Sequence, residues 1–373
     1  VVASFGRGFY VLDDYSPLRN VESTLEMKAH IYPIKDALMY VDSRPLGLRG
    51  KGSQGESHYT AENPPLGTVI TYFFNDTLRT SKELRQKKEA ALIKKGKDVS
   101  YPSLETLRKE DREEKPYLLF TIHNESGNEI RKMIQHPSLG LQRIVWDFRM
   151  SPKSAIELKS SEPGRYGEAN SGPLVLPGKY FVSMHKVVNG EATLLVDKTP
   201  FNCKWLENMS IPVQDKAQTL AFQVKVEKLR RAVDGSSKIL SDLNKRIKYA
   251  KSALKTYPNL ELSKMKEIRA MEQKADDISI SLYGDPSLSK RDIEQNESIS
   301  GSVGLIIWNM WRSRSAPTQT NQTLYDSAGD SYAALIEEMS DLQKKVEDME
   351  RYLDENEVPY TPGRGIINNW KKE

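Results

Sequence analysis

The chain has 373 residues, which is long for one compact core and indicates two or more domains. Its 55 basic and 51 acidic residues leave a formal net charge of +4, a balance that gives no reason to expect a nucleic-acid partner. The single cysteine, Cys203, excludes an intrachain disulfide and a cysteine-based zinc site. The longest apolar run, Val303 to Trp311, falls well short of the roughly 18 residues of a membrane span, so we expect no transmembrane segment.

The chain opens with two short apolar strands on either side of a glycine-bracketed turn, Gly6-Arg7-Gly8. The second strand, Phe9 to Leu12, is followed by Asp13 and Asp14. A lone two-stranded hairpin is marginally stable in water. The pattern therefore predicts that residues 1–20 complete a sheet supplied by another part of the polypeptide or by a companion chain.

Residues 21–210 are predicted to form an antiparallel β-sandwich of the fibronectin or immunoglobulin type, because short strands alternate with turn residues there. Val69–Phe74 is expected to pair with Leu118–His123, and the charged residues at about 79–115 between them form a helical insertion. The basic, glycine-rich segment Arg44–Ser57 suits either a surface loop or a phosphate-binding loop, and the lack of a GK[ST] ending favours the surface loop.

Two further strands are predicted downstream, at Gly140–Arg149 and after the Pro177-Gly178 turn within Gly172–Met184. In the first, Leu141, Ile144, Trp146 and Phe148 mark the strand; in the second, apolar residues alternate from Tyr180 to Met184. Asn189-Gly190 is the strongest hairpin signal in the chain, and the sandwich is expected to end near Trp205.

Residues 211–358 are predicted to form an antiparallel α-helical bundle, because their apolar residues recur three and four apart. One seam ends before Pro258, a second ends at Gly284-Asp285-Pro286, and a third helix is expected from about Lys290 to Trp311. The last helix carries Leu335 to Leu353 at helical spacing. The tail, 359–373, is predicted to be extended.

No catalytic or metal-binding arrangement stands out. The five histidines are scattered, and none has a spacing that places two imidazoles on one helix face; they are His30, His58, His123, His136 and His185. Asp13, Asp14 and Asp147 are the acids at apolar strand ends; they suit turn caps or, alternatively, a glycoside-cleaving pair. We therefore assign no catalytic residue, no metal ligand and no cofactor.

One aromatic and basic cluster is a candidate surface for a ligand or partner. Trp308, Trp311, Arg312 and Arg314 lie together in the sequence, and such residues hold glycans or proteins through stacking and charge. The alternative places Trp308 in the bundle core and Trp311 against the sandwich.

The opening segment SFGRGFYVLDDYSPLR, Ser4–Arg19, resembles the end of the β-propeller in BNR-repeat, sortilin-like proteins, a family often labelled glycosyl hydrolases. The family's order continues in four later stretches: NPPLG at 63–67, GLQRIVWDFR at 140–149, GPLVLPGKY at 172–180 and APTQTNQTLYD at 316–326. We interpret the last stretch as a turn between two helices.

The resemblance implies that this chain is the C-terminal region of an exported bacterial protein, in the periplasm or at the cell surface. In the first hypothesis it is non-catalytic: the sandwich and the bundle brace the propeller and bind protein partners in a cell-envelope assembly. In the alternative, they are accessory domains of a glycoside hydrolase or glycan-binding protein whose site lies in the propeller. Whether the parent is an enzyme stays open, because the propeller beyond its last hairpin is not in this sequence.

Overall fold

The structure, a computed structural model, describes residues 2–6, 8–12, 14–40, 64–158, 171–206, 215–313 and 315–366. The fold is mixed α/β, as predicted at this level, with 46% of the residues in helices and 21% in strands. Two compact units divide the chain. The first unit comprises Val1–Ser151 and Leu174–Pro212, and the second comprises Pro152–Pro173 and Val213–Glu373. The predicted loop at Arg44–Ser57 lies outside the described residues.

The first unit holds every strand in the described part of the chain. They are β1 (Val2–Ser4), β2 (Gly8–Tyr10), β3 (Ala29–Ile31), β4 (Ala37–Met39), β5 (Thr68–Phe74), β6 (Tyr117–Asn124), β7 (Glu129–Gln135), β8 (Gly140–Trp146), β9 (Gly178–Val188) and β10 (Glu191–Trp205). The short helix α1 (Ser16–Arg19) follows β2, and α2 (Ser81–Lys94) and α3 (Leu104–Arg112) lie between β5 and β6. Helices are therefore present where the sequence predicts them, at about 79–115.

The strands form three sheets, with the orders β1-β2, β3-β5-β8 and β4-β10-β9-β6-β7. The predicted pairing of Val69–Phe74 with Leu118–His123 is wrong, because β5 and β6 lie in different sheets. The helical insertion between them removes the tight turn that would force the two strands together. The predicted hairpin at Asn189-Gly190 is confirmed: it joins β9 to β10, and both residues have the positive φ of such turns.

Two details of the predicted strands differ from the structure. β4 and β10 run parallel, not antiparallel, with Ala37 opposite Cys203; these strands are far apart in the chain, so no tight turn fixes their relative direction. The strand predicted to reach Arg149 ends at Trp146. Phe148 has a φ of 61°, in the left-handed region, and this conformation interrupts the strand.

The larger two sheets both contribute to one hydrophobic cluster, because alternate residues of a strand point to the same face. Its centre is aromatic: the rings of Tyr180 and Phe201 lie 5.4 Å and 5.9 Å from that of Trp146. Gly67 packs under this group, where a Cβ would lie 2.4 Å from the Trp146 carbonyl oxygen. The cluster further includes Ile70, Tyr72, Leu118, Phe120, Ile122, Ile144, Val182, Met184 and Cys203.

The second unit holds the long helices. They are α4 (Lys216–Thr256), α5 (Lys264–Tyr283), α6 (Pro286–Ser289), α7 (Ile299–Ser313) and α8 (Gln319–Glu355). The apolar seams predicted from the sequence line their shared core, which includes Leu240, Ile247, Leu254, Ile268, Ile278, Leu335, Leu342, Val346 and Leu353. Burial of apolar area at about 25 cal/mol per Å² stabilises helices whose outer faces are charged.

Two helix boundaries differ from the predicted ones. α7 begins at Ile299 rather than near Lys290, because Asp292 has a φ of 53° and cannot continue a helix. The stretch Ala316–Asp326 is not a turn beyond its first residues, since the Thr318 hydroxyl accepts a hydrogen bond from the Asn321 amide and caps α8. Thr318 is the N-cap residue that signals this helix start in the sequence.

The tail folds back onto the end of α8 rather than running straight. The Arg364 side chain is buried, and its Nε donates to Asp354 Oδ1 at 2.7 Å. Nη1 and Nη2 donate to the carbonyls of Pro359 and Val358. Residues 367–373 lie outside the described part of the chain. None of the helices in the described residues has both the length and the apolar composition needed to cross a bilayer.

Candidate functional site

The predicted aromatic and basic cluster is divided by the structure. Trp311 is 1% exposed in the core of the second unit, and its Nε1 donates to the Ser171 carbonyl at 3.0 Å. Trp308, about one turn earlier in α7, is 40% exposed. The alternative interpretation therefore assigned the core position to the wrong tryptophan. The Arg312 side chain and all of Arg314 lie outside the described residues, so Trp308 is the member of the cluster left as a candidate contact.

The acids singled out in the sequence act as acceptors in turns. Asp14 Oδ1 accepts hydrogen bonds from the Ser16 amide and hydroxyl. The same oxygen forms an ion pair with Lys35 Nζ at 3.0 Å. Partial burial opposes ionisation of Asp14, but these hydrogen bonds outweigh it and lower the pKa of its carboxyl. Asp147 Oδ1 accepts from the Arg149 amide at 3.1 Å. Asp13 lies outside the described residues.

Among the described residues, no group of three or more histidine, cysteine or acidic side chains has the arrangement of a metal site. One buried pair of polar side chains lies on the five-stranded sheet, where His123 Nε2 is 3.1 Å from Ser183 Oγ. Both side chains are buried, and burial, followed by the charge of Lys198, lowers the pKa of His123. In the part of the chain that the structure describes, no hydrogen bond of good geometry reaches His123 Nδ1. A nucleophilic serine also needs its histidine oriented by a third group, and we assign no catalytic role to this pair.

A polar cleft of about 370 Å³ lies at the foot of the helical insertion. Its wall includes Arg79, Lys115 and His136, which are too far apart in the sequence for a motif to reveal them. The cleft's carboxylates are already engaged: Asp76 pairs with Lys186 at 2.8 Å, and Glu83 belongs to the capping box of α2. Among the described residues, the cleft therefore offers basic side chains to a negatively charged group, while its two carboxylates are already engaged.

The N-terminal hairpin, β1–β2, has the most unusual exposure of apolar side chains among the described residues. In the described residues β1 and β2 pair only with each other, in the register Ala3↔Phe9. Apolar side chains that a folded chain normally buries are in solvent here: Phe5, Phe9, Tyr10, Val11 and Leu12 are all exposed.

The segment after the hairpin is attached to the rest of the first unit. Besides the contacts of the Asp14 carboxylate, Arg143 Nη2 donates to the Asp14 main-chain carbonyl at 3.0 Å. Tyr15 is held by Arg19, whose guanidinium lies 4.7 Å from the ring centroid. The anchored segment therefore presents two short strands with open edges and exposed apolar side chains, a geometry suited to strand addition by another sheet.

Comparisons with family models, with curated proteins and with solved structures gave no match to this chain.

Proposed function

We propose that the chain is the non-catalytic C-terminal region of an exported, sortilin-like β-propeller protein, bracing the propeller and mediating protein–protein interaction in a cell-envelope assembly. The observation that carries this proposal is the exposed hairpin β1–β2, whose edges are open and whose Phe5 and Phe9 side chains lie in solvent. Pairing with a further strand would extend this two-stranded sheet and bury both rings. The hairpin would then be the last part of a propeller blade, because its sequence, SFGRGFYVLDD, resembles the segment that ends the propeller in BNR-repeat, sortilin-like proteins.

In this proposal, the two larger sheets form a fibronectin- or immunoglobulin-like sandwich, and α4, α5, α7 and α8 form an antiparallel bundle. The single hydrophobic cluster shared by the two sheets supports the sandwich. The common core of the four helices and the contacts of α4 with α5, α7 and α8 support the bundle. Both parts then serve as scaffold, with the insertion and the helix surfaces available to partners.

The enzymatic alternative receives no support from Asp14 and Asp147, the two acids singled out in the sequence that lie within the described residues. Asp14 and Asp147 each complete a turn, and a glycoside-cleaving pair needs two free carboxyl groups facing one cleft. We therefore build no hydrolytic step on them.

The proposal is tested by tagging the protein after Glu373 in its native source, purifying it without detergent exchange and mapping the recovered polypeptides by mass spectrometry. BNR-type repeats, either upstream in the same polypeptide or in a stoichiometric companion, are the expected result. Recovery of this chain without any such repeat would overturn the proposal.

A matched pair of variants then tests the hairpin itself. Phe9→Asp places a charge on a side chain that is 78% exposed in the isolated chain, and it should lower the melting temperature of the native protein because a buried charge is costly. Leu262→Asp is the control, since Leu262 is 79% exposed in the second unit and belongs to no proposed interface. Equal effects of the two substitutions would argue against a docked hairpin.

A further inference from the structure

The helical insertion is firmly held at its base. Arg85 and Glu110 form a bidentate pair between α2 and α3, with both N···O distances 2.7 Å. Thr80 caps α2 in a capping box, and Glu113 accepts from the Ser81 amide at 2.6 Å. The two helices thus leave the sheet as one hairpin-like projection rather than as a loose loop.

The far end of this projection is apolar and fully in solvent. None of the 14 residues of α2 is buried, and all residues from Ala90 to Tyr101 are exposed. Ile93, Tyr101 and Leu104 are large apolar side chains at the end where α2 stops and α3 starts. Exposed groups of this kind mark interaction sites more often than chance.

The base and the tip of the projection differ in how many of their charged side chains form ion pairs. Near the base, basic side chains pair with acids, as Arg85 does with Glu89 and Glu110. Toward the tip, a group of lysines makes no ion pair within 4.0 Å to any described residue; these are Lys87, Lys88, Lys94, Lys95 and Lys97. Asp98 is the single carboxylate in the sequence between residues 90 and 104. Within these bounds Lys94, Lys95 and Lys97 outnumber Asp98, and Glu89 and Glu105 flank the stretch, so the tip combines apolar side chains with a small excess of positive charge.

We propose that this tip is a docking surface for an anionic lipid bilayer. Ile93, Tyr101 and Leu104 enter the interfacial region of the lipid, where aromatic and aliphatic side chains partition favourably. The surrounding lysines contact the lipid phosphates. We favour a bilayer over an acidic protein because every residue from Ala90 to Tyr101 is exposed and Lys94, Lys95 and Lys97 lie among the apolar side chains of this stretch, a combination that suits an anionic lipid surface.

The test measures binding of the chain to vesicles by flotation. Vesicles of phosphatidylcholine with about 30 mol% phosphatidylglycerol should bind it, whereas pure phosphatidylcholine should bind it weakly, since each lysine gains from a negative surface potential. Raising the salt to about 0.5 M should weaken binding by screening. Failure to bind the anionic vesicles would overturn the proposal, as would binding that ignores lipid charge.

Two pairs of variants locate the surface. Lys94→Gln/Lys95→Gln should weaken vesicle binding roughly 30-fold, from the attraction of two lysines. Lys225→Gln/Lys228→Gln removes the same charge from the exposed side of α4 and should leave binding within about twofold, given that distant surface charges are screened. Equal losses in both pairs would show that net charge alone acts, and would contradict a site at the tip.

The apolar part is tested separately. Ile93→Ser should weaken binding several-fold, whereas Ile134→Ser on β7 should not, although the two isoleucines are 65% and 67% exposed. Retention of the α-helical circular dichroism signal shows that the variants are folded. If the tip variants bind vesicles normally but lose a co-purifying protein, the occupant is a protein and the lipid proposal is wrong.

Discussion

Arg246 on α4 and Glu350 on α8 form a bidentate ion pair, with Nε 2.8 Å from Oε1 and Nη2 2.6 Å from Oε2. Their side chains are 12% and 9% exposed. The hydrogen bond to Glu350 raises the pKa of Arg246 despite the opposing effect of burial. Two charges held this far from water must stay together, so the pair ties the two longest helices to one relative position.

Glu350→Gln should therefore destabilise the second unit by about 2 kcal/mol, because it removes the bidentate partner and leaves the guanidinium only the longer ion pair with Asp242 at 3.7 Å. Urea unfolding followed by far-ultraviolet circular dichroism measures the change in free energy. Asp348→Asn is the control: Asp348 pairs with Arg351 on the surface, where loss of a pair costs less than about 1 kcal/mol. Similar decreases in the free energy of unfolding of the two variants would show that the Arg246–Glu350 pair contributes no more than a surface ion pair.

Gly363 lies directly against this pair. Its φ is +101°, and a Cβ there would lie 2.6 Å from Arg246 Nε. Gly363→Ala should destabilise the second unit by about 1–3 kcal/mol, since both the backbone and the guanidinium must shift.

Gly365→Ala is the matched control, because nothing lies within 4 Å of the position of its added methyl group. It should change the free energy of unfolding by less than about 0.5 kcal/mol in the same urea titration. A tail that does not pack on the helices in solution would make the two alanine variants equivalent.

His123 should make the first unit sensitive to acid. Burial lowers its pKa in the folded chain below the ordinary 6.5, so between the two values the unfolded chain binds a proton that the folded chain does not. The free energy of unfolding should therefore fall as the pH drops through 6.5 and stop falling below the folded pKa. His123→Asn should flatten this dependence in urea titrations at successive pH values.

High salt separates the effect of burial on the pKa of His123 from the effects of neighbouring charges. It screens Lys198, which faces the imidazole, but it leaves burial unchanged. The pH dependence should thus persist in about 0.5 M salt. An Asn variant with the same slope as the original chain would assign the acid sensitivity to other groups.

The thiol of Cys203 should react slowly with disulfide reagents in the folded chain. It lies in the strand pair β4–β10 with 2% of its surface exposed, and burial raises the pKa of its thiol to about 12. Because the thiolate is the reactive form, a disulfide reagent at about pH 8 should label it more than about 100-fold slower than in denaturant. Rapid labelling without denaturant would show that this part of the sheet opens.

Local signals in the sequence predicted the elements well where a few adjacent residues decide the conformation. Asn189-Gly190 takes up the positive φ angles of a hairpin, and Pro258 follows the end of α4. The seam through Leu240 and Ile247 is buried as its spacing indicates. In each case the physical cause lies within a few residues, so the sequence alone contains it.

Predictions failed where residues distant in the chain decide. The pairing of β5 with β3 and β8 depends on which apolar faces meet in the core, which strand periodicity cannot determine. Trp308 and Trp311 are both apolar residues on α7, and only the packing of neighbouring helices sends Trp311 inward. The lysine-rich tip is an extreme case, because it has no partner in the described chain that a contact pattern could reveal.

The most direct test of the account is hydrogen–deuterium exchange of the peptide spanning Val2–Leu12, in this chain alone and in the protein purified from its native source. We predict exchange within seconds in the isolated chain, because β1 and β2 pair only with each other in the described residues, and at least about tenfold slower exchange in the native protein, where further strands cover their edges. Exchange at equal rates in both samples, or strong protection in the isolated chain, would contradict a docked hairpin.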